Sequence, residues 1–196
     1  MENPNSDYKR IEEREDSAIV LDFLPNGYPF DNTPAHKKVP IAQAIGKKML
    51  TLLELTPKEG IFLQPYEEVY IGEMKRDKIH HIVGKLNFQK LTPTAKNELG
   101  FVIDEIIKSN EKRYLEFFNK AIPLSTRMHS LELLPGMGKK RMWELLEERE
   151  DKEFESLEEI NKRVKLLPDV KEMIRKRILL ELECEQKHYL FVKRGG

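Results

Sequence analysis

The sequence holds one cysteine, Cys184. That excludes an internal disulfide and an all-cysteine zinc or iron–sulfur site within one chain. It fits a reducing cytosol, so a cytoplasmic location is expected. No apolar run approaches the ~20 residues of a membrane span, and the polar, acidic N-terminus does not read as a secretory signal. Neither charge is in excess, because 34 Lys and Arg balance 34 Asp and Glu over 196 residues. A uniformly basic nucleic-acid binder is thereby excluded, and any field that attracts a polyanion has to be local. P-loop, dinucleotide-binding, nucleophile-elbow and HExxH patterns are all missing.

What is present concentrates at Leu131 to Glu148, LELLPGMGKKRMWELLEE. Leu131, Leu133 and Leu134 read as the end of one helix, capped upstream by Ser125. Pro135-Gly136-Met137-Gly138 reads as a tight turn. A second helix follows, basic at Lys139, Lys140 and Arg141 and apolar at Met142, Leu145 and Leu146. Gly136 suits a positive φ, Gly138 allows another backbone to come close, and Met137 reads as a plug between the helices. The first N–H groups of a helix have no intrahelical partner and carry the positive end of its dipole. A phosphate fits there. The turn is therefore expected to hold a nucleic-acid backbone without reading a base.

This stretch resembles the helix-hairpin-helix motif, hxxhxGhGxxxAxxhh. Leu131, Leu134, Gly136, Met137, Gly138, Leu145 and Leu146 fall on its pattern positions. Met142 departs from it, standing where the motif usually carries Ala at the helix crossing.

In chain order, residues 1–16 carry three basic and six acidic side chains and read as a mobile polar arm. Residues 17–90, with ten basic and eight acidic side chains, read as a β-rich unit. Strands are expected at Ala18–Leu24, Val39–Gly46, Met49–Thr56, Ile61–Gln64 and Glu68–Ile71, separated by turns such as Pro25-Asn26-Gly27 and Pro57-Lys58-Glu59-Gly60. Five short strands point to a small closed barrel over 17–73, OB-like or SH3-like, with the OB-like form favoured. Its candidate contacts are the loop lysines Lys37, Lys38, Lys47 and Lys48. Tyr28, Phe30, Phe62, Tyr66 and Tyr70 are either stacking platforms or barrel filling. Ile79, Ile82, Val83 and Leu86 recur at helical spacing, so a short helix is expected from Asp77 to Lys85.

Residues 91–196 read as a helical unit, almost wholly helical to Cys184. Thr92-Pro93 signals a helix start, with Leu99, Val102, Ile103, Ile106 and Ile107 on its apolar face. A further helix from Glu111 to Ala121 buries Tyr114, Leu115, Phe117 and Phe118. Leu166-Leu167-Pro168-Asp169-Val170-Lys171 echoes Leu133-Leu134-Pro135-Gly136-Met137-Gly138 at an offset of 33 positions. Hairpins are thus expected at 125–149 and 156–183, the second degenerate because both glycines are gone. Tyr189-Leu190-Phe191-Val192 reads as a docking strand, followed by the basic tail Lys193-Arg194-Gly195-Gly196.

Catalytic constellations are weak. Glu73, His80 and His81 are near in sequence, but the adjacent histidines are expected to point apart, so no metal site is expected. Asp151 and Asp169 stand downstream of the hairpin, as the catalytic Asp of hairpin-bearing glycosylases does. The rest of that larger fold does not fit in the chain. Glu144, Glu147, Glu148, Glu150 and Asp151 read as a solvated helix end rather than a metal-binding carboxylate cluster.

The β-rich N-terminal unit, the Thr92-Pro93-Thr94-Ala95 helix start and IPLSTRMHSLELLPGMGKKRMWELLEERE together resemble an uncharacterised archaeal family. That family is described as predicted RNA-binding proteins with an OB-fold and a helix-hairpin-helix domain. The resemblance implies RNA as partner, with DNA the alternative, and no established reaction. The fold expected is α+β: a small OB-like β-barrel followed by a helical domain with tandem helix-hairpin-helix motifs. The function expected is non-enzymatic nucleic-acid binding without cofactor or metal. A scaffold in a ribosome- or nucleic-acid-associated complex, its hairpins used only for packing, is the second reading. The candidate binding residues are Gly136, Met137, Gly138, Lys139, Lys140, Arg141, Lys37, Lys38, Lys47 and Lys48.

Overall fold

A computed structural model describes residues 14–29 and 34–193. The arm up to residue 13, Phe30 and the tail from Arg194 lie outside the described residues. Five antiparallel strands form one sheet in the order β4-β1-β2-β3-β5: β1 Ser17–Leu24, β2 Ile41–Gly46, β3 Leu52–Pro57, β4 Glu68–Tyr70 and β5 Ile79–Lys85. β4 and β5 form the two edges and do not pair with each other, so the sheet is a curled half-barrel and not the closed barrel expected.

Bulges supply the curl. The β1–β2 register shifts between Val20 and Asp22, and the β3–β5 register shifts at Glu54/Leu55 and again at Thr56/Pro57. Each bulge inserts an unpaired residue and bends its strand. The two in the β3–β5 pair explain why Asp77 to Lys85 reads as a helix in sequence yet forms a strand. They put Ile79, His81, Ile82 and Gly84 opposite successive positions of β3, so apolar residues recur at a spacing of three instead of two. They also turn both histidines outward on one side, with His80 Nδ1 3.0 Å from His81 Nδ1, where ordinary strand alternation would have parted them. Ile61–Gln64 is not a strand; it is loop, anchored by buried Leu63.

Each face of the sheet is buried. Ala18, Val20, Ala42, Ala44, Leu53, Leu55, Val69 and Ile79 pack together on one side, the small alanines suiting a tightly curled sheet. On the other, Ile19, Leu21, Ile45 and Leu52 join a core that continues into the helices. α1 (Pro93–Ser109) lies against this face. Its N-cap Thr92 accepts from the Ala95 N–H at 3.0 Å and donates to Asp22 at 2.6 Å. Buried Gln43 of β2 accepts from the Thr92 N–H at 2.8 Å and donates to the Lys90 carbonyl at 2.9 Å. These polar bonds fix where the first helix leaves the sheet, and the apolar core therefore crosses from residue 90 to 91 without a break.

α2 (Glu111–Lys120) buries Tyr114 and Phe118. The following segment departs from the helical expectation. Pro123–Ser125 (β6) and Met128–His129 (β7) form a two-stranded hairpin, and Ser125 lies in it rather than capping a helix. Then come a four-residue 3-10 turn at Ser130–Leu133, α3 (Lys139–Asp151), α4 (Leu157–Arg163) and α5 (Val170–Glu183). Leu190–Val192 forms no strand but is docked firmly. The fully buried Glu181 carboxylate accepts from the Leu190, Phe191 and Val192 N–H groups at 2.7, 3.0 and 2.8 Å and pairs with Arg177 at 2.7 Å. Arg177 in turn donates to the carbonyls of Leu133 (3.2 Å) and His188. One buried ion pair thus ties the 3-10 turn, α5 and the C-terminal segment together.

Candidate nucleic-acid interface

The arm before the Pro135–Gly138 turn is a single 3-10 turn, so the first hairpin does not join two α-helices. His129 caps it: Nδ1 accepts from the Leu131 N–H at 3.1 Å, and Glu132 accepts from the His129 N–H at 2.7 Å. Burial, then the nearby Arg149 charge, lowers the His129 pKa below its ordinary 6.5 and keeps that nitrogen free to accept. Gly136 adopts φ +89, and a Cβ there would stand 3.1 Å from Pro168 Cγ. Met137 is buried and fills the turn, as its position between the glycines suggests.

Gly138 is the N-cap of α3, with no side chain closing the helix and open space where a Cβ would project. Lys139 and Lys140 are exposed and make no ion pair among the described residues. Arg141 differs, because its guanidinium is held by Glu144 at 2.8 and 2.6 Å. The open amides are therefore flanked by two available ammonium groups, not three cations. Trp143, not singled out in the sequence, is 60% exposed. Its signal was spacing: it stands three and four residues after Lys140 and Lys139, on the face opposite buried Met142 and Leu145.

The second turn faces this one through the Gly136–Pro168 contact but is built differently. Asp169 caps α5, accepting from the Glu172 N–H at 2.8 Å, so a carboxylate already occupies the helix start. Asn161 braces the turn, accepting from the Val170 N–H at 3.1 Å and donating to the Pro168 carbonyl at 2.9 Å. Asp169 thereby has a structural role.

The sheet lysines lie on two separate loops, in neither turn. Lys38 bonds the Tyr28 carbonyl, whereas Lys37 is exposed in a 3-10 turn at Ala35–Lys37. Lys47 pairs with Glu68 at 2.8 Å, and that bond, ahead of burial, sets the balance that lowers the Glu68 pKa. Lys48 is exposed and lines an open groove of about 710 Å³ with Arg113, Asn110 and Lys193. Its loop is rigid, because the carboxylate of Glu15 accepts from the Lys48, Met49 and Thr51 N–H groups at 2.8, 2.9 and 3.1 Å. Glu15 is buried, which corrects the reading of residues 14–16 as part of a mobile arm.

Of the aromatic candidates, Phe62 is 75% exposed and Tyr66 half-exposed, while Tyr28 and Tyr70 are partly buried. The Tyr28 hydroxyl donates to Glu54 at 2.7 Å, and burial pushes its pKa up to about 12. Phe101, on the outer side of α1, is an exposed aromatic that sequence reasoning missed. No group of three or more His, Cys, Asp or Glu side chains among the described residues is arranged to hold a metal ion. Among them, too, no helix is long and apolar enough to cross a membrane.

Comparison with known proteins places this arrangement in context. The chain is 45% identical over 181 residues to the uncharacterised protein MJ0038 of Methanocaldococcus jannaschii, covering 91% of this chain and 80% of that one. It is also similar to the crystal structure of Af1531 from Archaeoglobus fulgidus, with a TM-score of 0.85 and 45% identity over 91% of this chain and all of that one. Residues 14–193 match DUF655, described as a protein of unknown function, and to that family the chain belongs.

Proposed function

We propose that the chain is a non-enzymatic nucleic-acid-binding protein, with RNA as the foremost ligand, gripping the phosphate backbone at Gly136 to Lys140. The observation that carries this reading is the open start of α3, where unpaired amides, an uncapped Gly138 and two uncommitted lysines converge on one exposed point. Helix-dipole attraction at an exposed site contributes only ~0.3–1 kcal/mol, so a second surface has to add most of the affinity. The curled sheet supports that role. Its five antiparallel strands curl into a half-barrel left open between β4 and β5. In OB folds the β1–β2 and β4–β5 loops bind oligonucleotides. Here those loops carry Lys37 and Lys38, and Met74 and Lys75.

A salt titration tests the reading. Replacing Lys139 and Lys140 with Ala should weaken unrelated RNAs about equally and flatten the slope of log K against log salt by roughly 1.4, at ~0.7 per lost single-strand phosphate contact. An unchanged slope in a folded double variant would remove the phosphate clamp. The scaffold reading would then lead. What favours that second reading is the exposure of Phe62 and Phe101 together with the pairing of Arg141 and Lys47 to carboxylates.

A further inference from the structure

Leu166 is the most exposed large apolar residue of the described chain, at 84%, and it adopts φ +61. An L-residue other than Gly, Asn or Asp rarely enters that region, because its Cβ crowds the following carbonyl. The side chain gains no packing in return. Its base is nonetheless rigid: Val164 is buried, Leu167 packs on the core, and Asn161 bridges Pro168 and Val170. Exposed Lys162 and Lys165 flank the tip. Pro168, two residues on, abuts Gly136, so the tip stands beside the turn that opens α3.

We propose that Leu166 is an apolar wedge that enters the gap beside an unpaired or bulged base in a nucleic acid held at the neighbouring turn. The proposal rests on the reading of the α3 start as a phosphate clamp, and it names the substrate class: a strand with an unstacked or bulged base. Three observations carry it. The α5 start is closed to phosphate by Asp169, so the second turn cannot repeat the contact of the first. The lysines around Leu166 match a polyanion and not an apolar protein groove. A rigid, protruding aliphatic side chain is the kind of group that proteins insert between bases to unstack them.

The test uses the full chain and two RNA stems of one sequence, one fully paired and one carrying a single bulged 2-aminopurine. The wild type should prefer the bulged stem and raise the 2-aminopurine fluorescence on binding. Leu166→Ala and Leu166→Asn should reduce that preference by about fivefold to tenfold, the loss expected of one to two buried methylenes, and leave the paired stem within about twofold. Asn tolerates the left-handed backbone, so that variant keeps the turn folded. Retention of the preference and of the fluorescence change in both Leu166 variants would overturn the wedge. If Lys139→Ala/Lys140→Ala still weakened both stems, the clamp would stand without it. Equal weakening on both stems by Leu166→Asn would also overturn the wedge. Binding of neither stem by the wild type would overturn the clamp itself.

Discussion

The two turns of the helical half begin with the same Leu-Leu-Pro sequence and diverge within three residues. After Pro135 the chain spends Gly136 and Met137 before α3 is capped at Gly138; after Pro168 the very next residue, Asp169, caps α5. In the first turn the left-handed residue is a glycine packed against its neighbour; in the second it is Leu166, standing in solvent. One helix start is left open beside two lysines, and the other is closed by a carboxylate. An echo in sequence therefore preserves the packing of two loops without preserving what their surfaces offer. Two residues of extra length and two glycines separate a candidate anion site from a braced structural turn.

The largest effect should come from the link between the turns. Arg177 holds the carbonyl beneath the first turn and belongs to the helix launched by the second, and Glu181 neutralises it in full burial. Glu181→Ala leaves a buried guanidinium and three N–H groups without their acceptor. Denaturant unfolding should show a loss of ~3–5 kcal/mol. A loss below about 1 kcal/mol would mean that the two turns are held by apolar packing alone.

Substitutions at the two left-handed positions should move stability in opposite directions. Gly136→Ala meets both a positive φ and the Pro168 ring, and should cost about 1–3 kcal/mol. Leu166→Gly relieves the same backbone region with no packing to lose, and should stabilise by about 0.5–1 kcal/mol. Thermal unfolding of the two variants side by side reads this directly. A destabilised Leu166→Gly would reveal a packing role that its exposure denies.

The smallest effect is a pH response confined to the first turn. His129 caps its arm as a neutral acceptor, and its folded pKa lies below the ordinary 6.5. The unfolded chain then binds the proton more readily, so stability is intact above 6.5 and falls as pH drops from there to the lowered folded value. The loss should be about 1 kcal/mol or less, the size of a cap. Amide protection at Leu131, corrected for the pH dependence of intrinsic exchange, should fall on acidification while that at Val170 and Glu172 does not. An equal loss of protection at both turns would place the pH sensitivity elsewhere.

The helix starts at Thr92 and the α3 turn were legible in sequence because capping and proline signals are local. Buried Met137 was legible for the same reason, whereas the Asp169 cap that closes the second turn was not read from sequence. β5 was not, since its bulges convert a strand pattern into apolar spacings that mimic a helix. The arm before Pro135 was not, since Leu131, Leu133 and Leu134 give the same pattern in a 3-10 turn as in an α-helix. Glu15, Gln43 and Glu181 owe their roles to partners far along the chain or to tertiary burial, and no local window contains that information. Among the candidate lysines, sequence gave their loops but not their bonds. Only the fold shows Lys47 and Lys38 engaged while Lys37, Lys48, Lys139 and Lys140 face outward.

The central claim, an anion site at the open start of α3, is tested most directly by giving the first turn the cap of the second. Gly138→Asp fits sterically, because φ −79 and ψ 156 suit a capping residue and nothing lies within 4 Å of the added Cβ. The carboxylate should stabilise α3 by about a few tenths of a kcal/mol and occupy the amides that phosphate would use. RNA affinity at fixed salt should then fall by about twofold to fivefold in a protein that melts no lower than the wild type. Gly138→Ser, a neutral cap, should lose less. Unchanged affinity in a folded Gly138→Asp variant would contradict the claim.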